Sequence, residues 1–150
     1  MVASLSPDAV AGTLVKRLGL LLPKRSGLAL ALWGEPGVGK SWVAAQVLRQ
    51  VPCLSASAGA RDGAGQLLAA LPRPARLPAW VEGGLERLAR GQLEPARAAD
   101  TLAAYLADLA PFVLLVEDLH EAAPEQQALW LELAQEVLRA RGVGLLFTSR

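Results

Sequence analysis

An eight-residue run, Gly-Glu-Pro-Gly-Val-Gly-Lys-Ser at positions 34–41, limits the possible folds of this chain more than any other feature. It follows a continuous apolar run, Leu28–Trp33, which predicts a strand buried on both faces. It leads into Lys40–Gln50, where apolar residues recur every four positions and predict a helix. A strand, a glycine-rich turn and a helix in this order predict an α/β fold built on a parallel sheet.

The run also fits the pattern G-x-x-x-x-G-K-[ST], whose residue types suit phosphate binding. Glycines let successive backbone N–H groups point at phosphate oxygens, and the following helix presents its positive end to them. Lys40 adds a compact positive charge, and the hydroxyl of Ser41 is a ligand for Mg²⁺. The alternative is a glycine-rich turn without a ligand. We predict that a nucleotide contacts Gly34, Glu35, Pro36, Gly37, Val38, Gly39, Lys40, Ser41 and Trp42.

A second apolar run, Phe112–Val116, ends in the acid pair Glu117 and Asp118. A parallel strand delivers such carboxylates to the edge of the sheet where ligands of open α/β sheets bind. One carboxylate can hold Mg²⁺ through water while the other polarises the attacking water. The alternative is that acids simply follow this strand, as they follow many others. We predict that both acids are catalytic and that Glu117 joins Ser41 at the metal, directly or through water, although the division of roles between the acids stays open.

A third apolar run, Val143–Phe147, predicts another buried strand and is followed by Thr148, Ser149 and Arg150. Polar groups at this strand end can lie beside the γ-phosphate of a bound nucleotide. The alternative is a loop with an exposed arginine. We predict Arg150 to be the third catalytic residue.

The rest of the chain is predicted to form helices and one more short strand. Proline and glycine separate these elements, and Gly142 is placed to end the last helix. The predicted helices cover Ser6–Leu22, Gly65–Leu71, Ala79–Arg90 and Ala96–Leu109 together with one that Pro124 opens, and the strand covers Val51–Ala56.

Composition excludes several classes of protein. With 150 residues, 53% of them hydrophobic and 19% charged, the chain can bury a core and does not have the composition of a disordered segment. A net charge of +1 argues against direct nucleic-acid binding, and the single cysteine excludes a disulfide framework. We see no signal peptide and no apolar run long enough to cross a membrane, so we expect a cytoplasmic protein that does not bind membranes.

Four other residue types need an interpretation. We expect His120 to pack locally rather than touch a site, and Cys53 to be a small buried residue in a strand. Arg139 and Arg141 suit the negative end of a helix, and this is favoured over an arginine finger. We expect the tryptophans to pack in the core or partly at the surface. They are Trp33, Trp42, Trp80 and Trp130.

Taken together, GEPGVGKS, FVLLVEDLHEAAPEQQALW and GLLFTSR resemble the ATPase domain of STAND proteins, which are AAA-related signal-transduction ATPases. The closest likeness is to the ATP-binding modules of large bacterial transcriptional regulators, and it spans residues 27–150. The resemblance implies a P-loop NTPase fold, a three-layer α/β/α sandwich of the ASCE type, with the third-run strand between the other two. It also implies ATP, ADP and Mg²⁺ as ligands, and slow hydrolysis that switches an assembly.

By position, the resemblance makes Lys40 and Ser41 the phosphate and metal contacts, and Arg150 the γ-phosphate sensor. Glu117 becomes the metal-ordering acid and Asp118 the water-activating acid. The chain departs from many relatives in having Glu-Asp where they have Asp-Asp or Asp-Glu. It also has Glu-Ala-Ala at 121–123 where Trp-Ala-Asp is usual, and adenine contacts are not assigned.

We expect an N-terminal helix and linker at 1–26 and an ATPase core at 27–150. No helix follows the last strand, so we expect a piece of a longer protein with a lid, effector domains and self-association or partner domains. Two alternatives remain open. One is a nucleotide-dependent scaffold with negligible hydrolysis, and the other is a P-loop phosphotransferase acting on a small molecule. A GTPase is disfavoured because no N/T-K-x-D signature occurs.

Overall fold

The computed structural model describes residues 7–19, 27–35, 39–51, 53–62, 64–74 and 76–150. In these residues helices connect successive strands, with three helices in a row between the second and third strands. The helices are α1 (Pro7–Gly19), α2 (Lys40–Gln50), α3 (Ala64–Ala70), α4 (Ala79–Ala89), α5 (Pro95–Leu109) and α6 (Pro124–Val137), with a 3₁₀ turn at Leu119–Glu121. The strands are β1 (Leu28–Trp33), β2 (Leu54–Gly59), β3 (Phe112–Glu117) and β4 (Val143–Ser149).

The four strands form one parallel sheet in the order β1-β4-β3-β2. Strand β4 therefore lies between the strand before the glycine-rich run and the strand before the acid pair, as the resemblance implied. The register pairs Trp33 with Ser149 and Gly59 with Glu117, so the carboxyl ends of all four strands meet at one edge. Ligands of open parallel sheets bind at this edge.

Helices cover both faces of the sheet, which confirms the three-layer α/β/α sandwich. Alternate residues of β3 belong to different clusters, because successive side chains of a strand point to opposite faces. Leu114 and Val116 pack in the larger cluster with α5 and α6, whereas Val113 and Leu115 pack in a smaller cluster with α1 and α2. Hydrophobic burial on both faces holds the layers together.

The central strands were predicted closely, and the sheet margins less well. Strand β2 begins at Leu54 rather than Val51, and Cys53 is half-buried just before it rather than inside it. The prediction that Leu28–Trp33 is buried on both faces is wrong. Among the described residues β1 pairs with β4 alone, and the side chain of Trp33 is 66% exposed.

The tryptophans divide between core and surface. Trp130 is 1% exposed, and its Nε1–H donates a hydrogen bond to the carbonyl oxygen of Ala60 at 2.7 Å. This bond ties α6 to the turn after β2. Trp33, Trp42 and Trp80 are exposed, so core packing holds for Trp130 alone.

The entry to β1 and the exit from α6 lie close together. A Cβ on Gly27 would overlap the carbonyl oxygen of Val137, so only glycine fits there. Helix α6 ends at Val137, earlier than predicted, and Gly142 instead turns the chain into β4 with a φ of 76°. The carbonyl oxygen of Gly142 accepts a hydrogen bond from the Phe112 N–H at 2.9 Å, which aligns the starts of β3 and β4.

Helix α1 packs against α2 on the smaller cluster through Ala11, Leu14 and Leu18. The predicted start of this helix at Ser6 and its predicted end at Leu22 lie outside the described residues. No helix in the described part of the chain is long and apolar enough to cross a membrane.

Candidate functional site

The glycine-rich run connects β1 to α2 at the ligand-binding edge of the sheet. Gly39 has a φ of 94°, a left-handed conformation that favours glycine, and its carbonyl oxygen accepts the first hydrogen bond of α2 from the Val43 N–H at 2.9 Å. Pro36, Gly37 and Val38 lie outside the described residues. The α2 N-terminus therefore begins where the glycine-rich pattern placed it, with its positive end toward the loop.

The side chain of Lys40 reaches back from the start of α2 to the residues that follow β1. Its Nζ donates hydrogen bonds to the carbonyl oxygens of Gly34 and of Glu35, the latter at 3.1 Å. The side chain is half-buried, whereas Ser41 and Trp42 are exposed beside it. An ammonium group has three donors, and among the described residues two of them are used by the carbonyl oxygens of Gly34 and Glu35.

The acid pair follows β3 and changes backbone direction within two residues. Glu117 ends the strand and is half-buried, and the alternation of β3 places it on the same face as Val113 and Leu115, toward α2. Asp118 is exposed and left-handed, with φ 60° and ψ 51°, and the 3₁₀ turn begins after it. The two carboxylates thus leave the strand end in different directions.

The end of β4 lies against the same turn. The Asp118 N–H donates to Thr148 Oγ1 at 3.0 Å, and the Arg150 N–H donates to His120 Nδ1 at 3.2 Å. Thr148 is buried and Arg150 is exposed. The predicted acid pair and the predicted arginine are therefore neighbours.

One cleft collects residues from all three predicted segments. Its volume is about 390 Å³, within the range of small-molecule sites. It is lined by Gly39, Lys40, Ser41, Trp42, Asp118, His120 and Arg150. Glu117 lies next to this lining, while Gly34 and Glu35 contact it through Lys40.

The cleft also includes His120, which we expected only to pack locally. A signal was present in the sequence, because the one histidine of the chain stands two residues after the acid pair. The 3₁₀ turn brings it back toward the strand ends.

A family model for the AAA ATPase domain matches residues 13–147. The chain belongs to the AAA ATPase domain family. No curated protein matches it. The match includes β1, β2, β3 and β4 as far as Phe147, and it also includes residues 13–19 of α1, which packs with α2. Membership implies nucleotide binding, usually together with Mg²⁺.

The donor groups of this AAA ATPase domain fit such a ligand. Lys40 and Arg150 supply positive charge and N–H donors suited to phosphate oxygens. Mg²⁺ prefers oxygen ligands and keeps several waters, so one hydroxyl and one carboxylate plus phosphate suffice. Ser41 and Glu117 offer these oxygens. In the described residues no group of three or more histidine, cysteine or acidic side chains could form a separate metal cage.

Glu117 has an unusual electrostatic environment. Its pKa is raised above the ordinary value, mainly because burial disfavours the charged carboxylate and also because the negative charge of Asp118 is near. A bound cation or a positively charged side chain would favour the charged form. The charged carboxylate of Glu117 therefore lowers the stability of the ligand-free AAA ATPase domain, and a perturbed acid beside a cleft is a candidate functional residue.

We expect Glu117→Gln to raise the melting temperature of the ligand-free chain at neutral pH. Since the folded-state pKa is raised, the destabilisation is full above that pKa and is lost as pH falls through it. The carboxylate is partly solvated, so the gain is small, about 1–2 °C, and it should shrink toward about pH 4. Scanning calorimetry at several pH values measures it, with Glu86→Gln, an exposed site on α4, as control. A lower melting temperature at neutral pH would contradict this reading.

Proposed function

We propose that this AAA ATPase domain binds Mg-ATP, hydrolyses it slowly to ADP and acts as a regulatory switch of the STAND type. The observation that carries the proposal is the cleft that brings together Lys40, Asp118 and Arg150 from three separate segments. A lysine at a helix N-terminus, an acid and an arginine around one cleft form the charge pattern that a triphosphate and an attacking water require.

Phosphate binding is assigned to the loop and to Lys40. A phosphate chain at the α2 N-terminus gains from the helix dipole and from loop N–H groups. Lys40 already lies over the loop, held by the carbonyl oxygens of Gly34 and Glu35. A small rotation of its flexible side chain would exchange one of these partners for phosphate oxygens.

The two acids receive different roles because they point to different places. Glu117 lies on the sheet face that packs against α2, the helix that carries Ser41, and we assign both residues to the metal, Glu117 through water. Asp118 lines the cleft and is exposed, so we assign it to the attacking water. The bound metal would neutralise phosphate charge.

Hydrolysis then consists of positioning. Asp118 orients a water and accepts its proton during in-line attack on the γ-phosphorus, the bond from that phosphorus to the β–γ bridging oxygen breaks, and ADP and inorganic phosphate depart. Arg150 neutralises charge on the γ-phosphate, which a guanidinium does through parallel N–H donors. Each of these groups contacts the cleft from a rigid strand end or the helix start.

The wider role is proposed from the sequence resemblance. An acid pair followed by Leu-His after one buried strand, and Thr-Ser-Arg at the end of another, resemble the ATP-binding modules of large bacterial transcriptional regulators. We propose a cytoplasmic switch that works through self-association or neighbouring domains, without binding nucleic acid or membranes itself. The net charge of +1 supports the absence of direct nucleic-acid binding.

Calorimetric titration of the 150-residue chain with Mg-ATP tests the function. We expect saturable binding in the micromolar range that weakens without Mg²⁺, and weaker binding of Mg-GTP. Release of labelled phosphate from γ-labelled ATP then separates an ATPase from a scaffold. A rate below about one phosphate per minute still counts as hydrolysis if it exceeds the uncatalysed rate in solution. Absence of heat with either nucleotide would contradict the proposal, and tight binding with no phosphate release would favour the scaffold.

A further inference from the structure

Two hydrogen bonds join the acid-bearing turn to the end of β4, and they run in opposite directions. The Asp118 N–H donates to Thr148 Oγ1 at 3.0 Å, and the Arg150 N–H donates to His120 Nδ1 at 3.2 Å. We call this pair of bonds the clasp. Each bond uses the backbone of a proposed catalytic residue and the side chain of a residue on the other segment.

The Thr148 bond supports a strained backbone. Asp118 is the one non-glycine residue with a positive φ in the described part of the chain, and side chains other than glycine rarely adopt this conformation. Thr148 is 3% exposed, so its hydroxyl is held in a fixed, dry position below the turn. The bond to the Asp118 N–H therefore stabilises the conformation that places Asp118 at the cleft.

The His120 bond fixes the state of the imidazole. A ring nitrogen that accepts a hydrogen bond carries no proton, so Nδ1 is bare and the proton lies on Nε2. Nε2 faces Glu121 Oε1 at 4.0 Å, a contact that favours a proton there. The ring is thus held at Nδ1 by its hydrogen bond, and this bond keeps the backbone of Arg150 beside the turn.

Neither bond uses the charged groups. In the described residues the Asp118 carboxylate and the Arg150 guanidinium have no hydrogen bond or ion pair, and both residues line the cleft. The clasp uses only the backbone of Asp118 and Arg150. It therefore fixes the position of each backbone and leaves both charged groups to contact a ligand.

We propose that Thr148 and His120 are positioning residues that lock Asp118 and Arg150 into one unit, so that the water-activating acid and the γ-phosphate sensor keep a fixed separation. The proposal rests on the proposed function, since it assigns how two groups of that site are held. Loss of either bond frees one member to move relative to the other. Because the proposed catalysis depends on positioning, loss of either bond should lower the rate of hydrolysis more than the affinity for Mg-ATP.

Paired variants separate positioning from simple stability. Thr148→Val keeps the shape and removes the hydroxyl, while Thr148→Ser keeps the hydroxyl. His120→Ala removes the acceptor, while His120→Asn places an oxygen acceptor near the Nδ1 position. We expect Thr148→Val and His120→Ala to lower kcat about 10-fold or more, with the Kd for Mg-ATP within about 3-fold of wild type. Thr148→Ser and His120→Asn should recover most of kcat.

The kinetic result can overturn the clasp. An unchanged kcat in Thr148→Val or His120→Ala would contradict it. A loss of kcat in Thr148→Ser and His120→Asn as large as in their partner variants would contradict it as well. A parallel rise in Kd would also do so, because it would mean that the bonds serve binding rather than positioning. Melting temperatures of all four variants show whether each remains folded under assay conditions.

A spectroscopic readout tests the clasp without nucleotide. Because the chain has a single histidine, one set of imidazole ¹⁵N signals belongs to His120. In mildly alkaline buffer we expect wild type to populate the Nε2–H tautomer to a greater extent than a free histidine peptide, in which this tautomer is already the major one. The Nδ1–H tautomer, or a mixture as in a free peptide, would overturn the clasp. Failure of wild type to bind Mg-ATP would instead contradict the proposed function, so the two failures are distinguishable.

Discussion

Replacing Lys40 by alanine is expected to weaken Mg-ATP binding at least about 100-fold, which corresponds to about 2.7 kcal/mol. Lys40 is the cation that we propose to contact the phosphates, and the carbonyl oxygens of Gly34 and Glu35 hold its Nζ. Hydrogen bonds between charged groups are about twice as strong as neutral ones, and alanine restores none of them. Calorimetric titration with Mg-ATP measures the change.

The matched control is Lys16→Ala. Lys16 is an exposed lysine in the last turn of α1, so this change removes the same charge away from the cleft. We expect its affinity to stay within about 2-fold of wild type. Because Lys40 also holds its own loop, the melting temperature of Lys40→Ala must be compared with wild type. A folded Lys40→Ala protein that binds Mg-ATP normally would refute the role of the loop.

The sheet could be predicted from sequence where burial is continuous. Phe112–Val116 and Val143–Phe147 lie in the centre of the sheet, so both faces demand apolar residues and the pattern is unambiguous. The edge strand β1 has the same kind of sequence but a different environment. Composition alone cannot show which neighbours a strand will have, so the exposure of Trp33 was not predicted.

Local backbone conformation could also be predicted from the sequence, whereas contacts between residues far apart in the chain could not. The left-handed Gly39 at the start of α2 follows from the glycine pattern. The bonds from Asp118 to Thr148 and from Arg150 to His120 each span 30 positions. They depend on strand order and on the 3₁₀ turn, so only the three-dimensional arrangement shows that Thr148 and His120 hydrogen-bond to Asp118 and Arg150.

The boundary of the ATPase core illustrates the same limit. Sequence breaks at 23–27 predicted that the first helix precedes the core, and residues 20–26 lie outside the described part. In the structure α1 shares a hydrophobic cluster with α2 through Leu14 and Leu18. An amphipathic pattern shows that a helix has a buried face but does not show which partner covers it. We therefore keep the division at 26 and 27 as a prediction.

Asp118→Asn is expected to keep Mg-ATP binding and to lower hydrolysis about 100-fold or more. Asparagine has nearly the same shape as aspartate, tolerates the left-handed backbone and keeps the N–H that donates to Thr148. What it loses is the charge that polarises the water, and general-base assistance contributes about 10²–10⁴-fold to a rate. Single-turnover release of labelled phosphate measures the loss, and Asp108→Asn, an exposed acid at the end of α5, is the control.

Comparison with Glu117→Gln assigns the two acids. If Glu117 orders the metal and Asp118 the water, Glu117→Gln weakens the Mg²⁺ dependence of ATP binding, whereas Asp118→Asn leaves that dependence intact. Removing the charge of Asp118 also removes one of the two causes that raise the Glu117 pKa, so the melting-temperature gain of Glu117→Gln should be smaller in the Asp118→Asn background. Normal phosphate release by Asp118→Asn, together with lost Mg²⁺ dependence, would reverse the assignment and make Glu117 the residue that activates water.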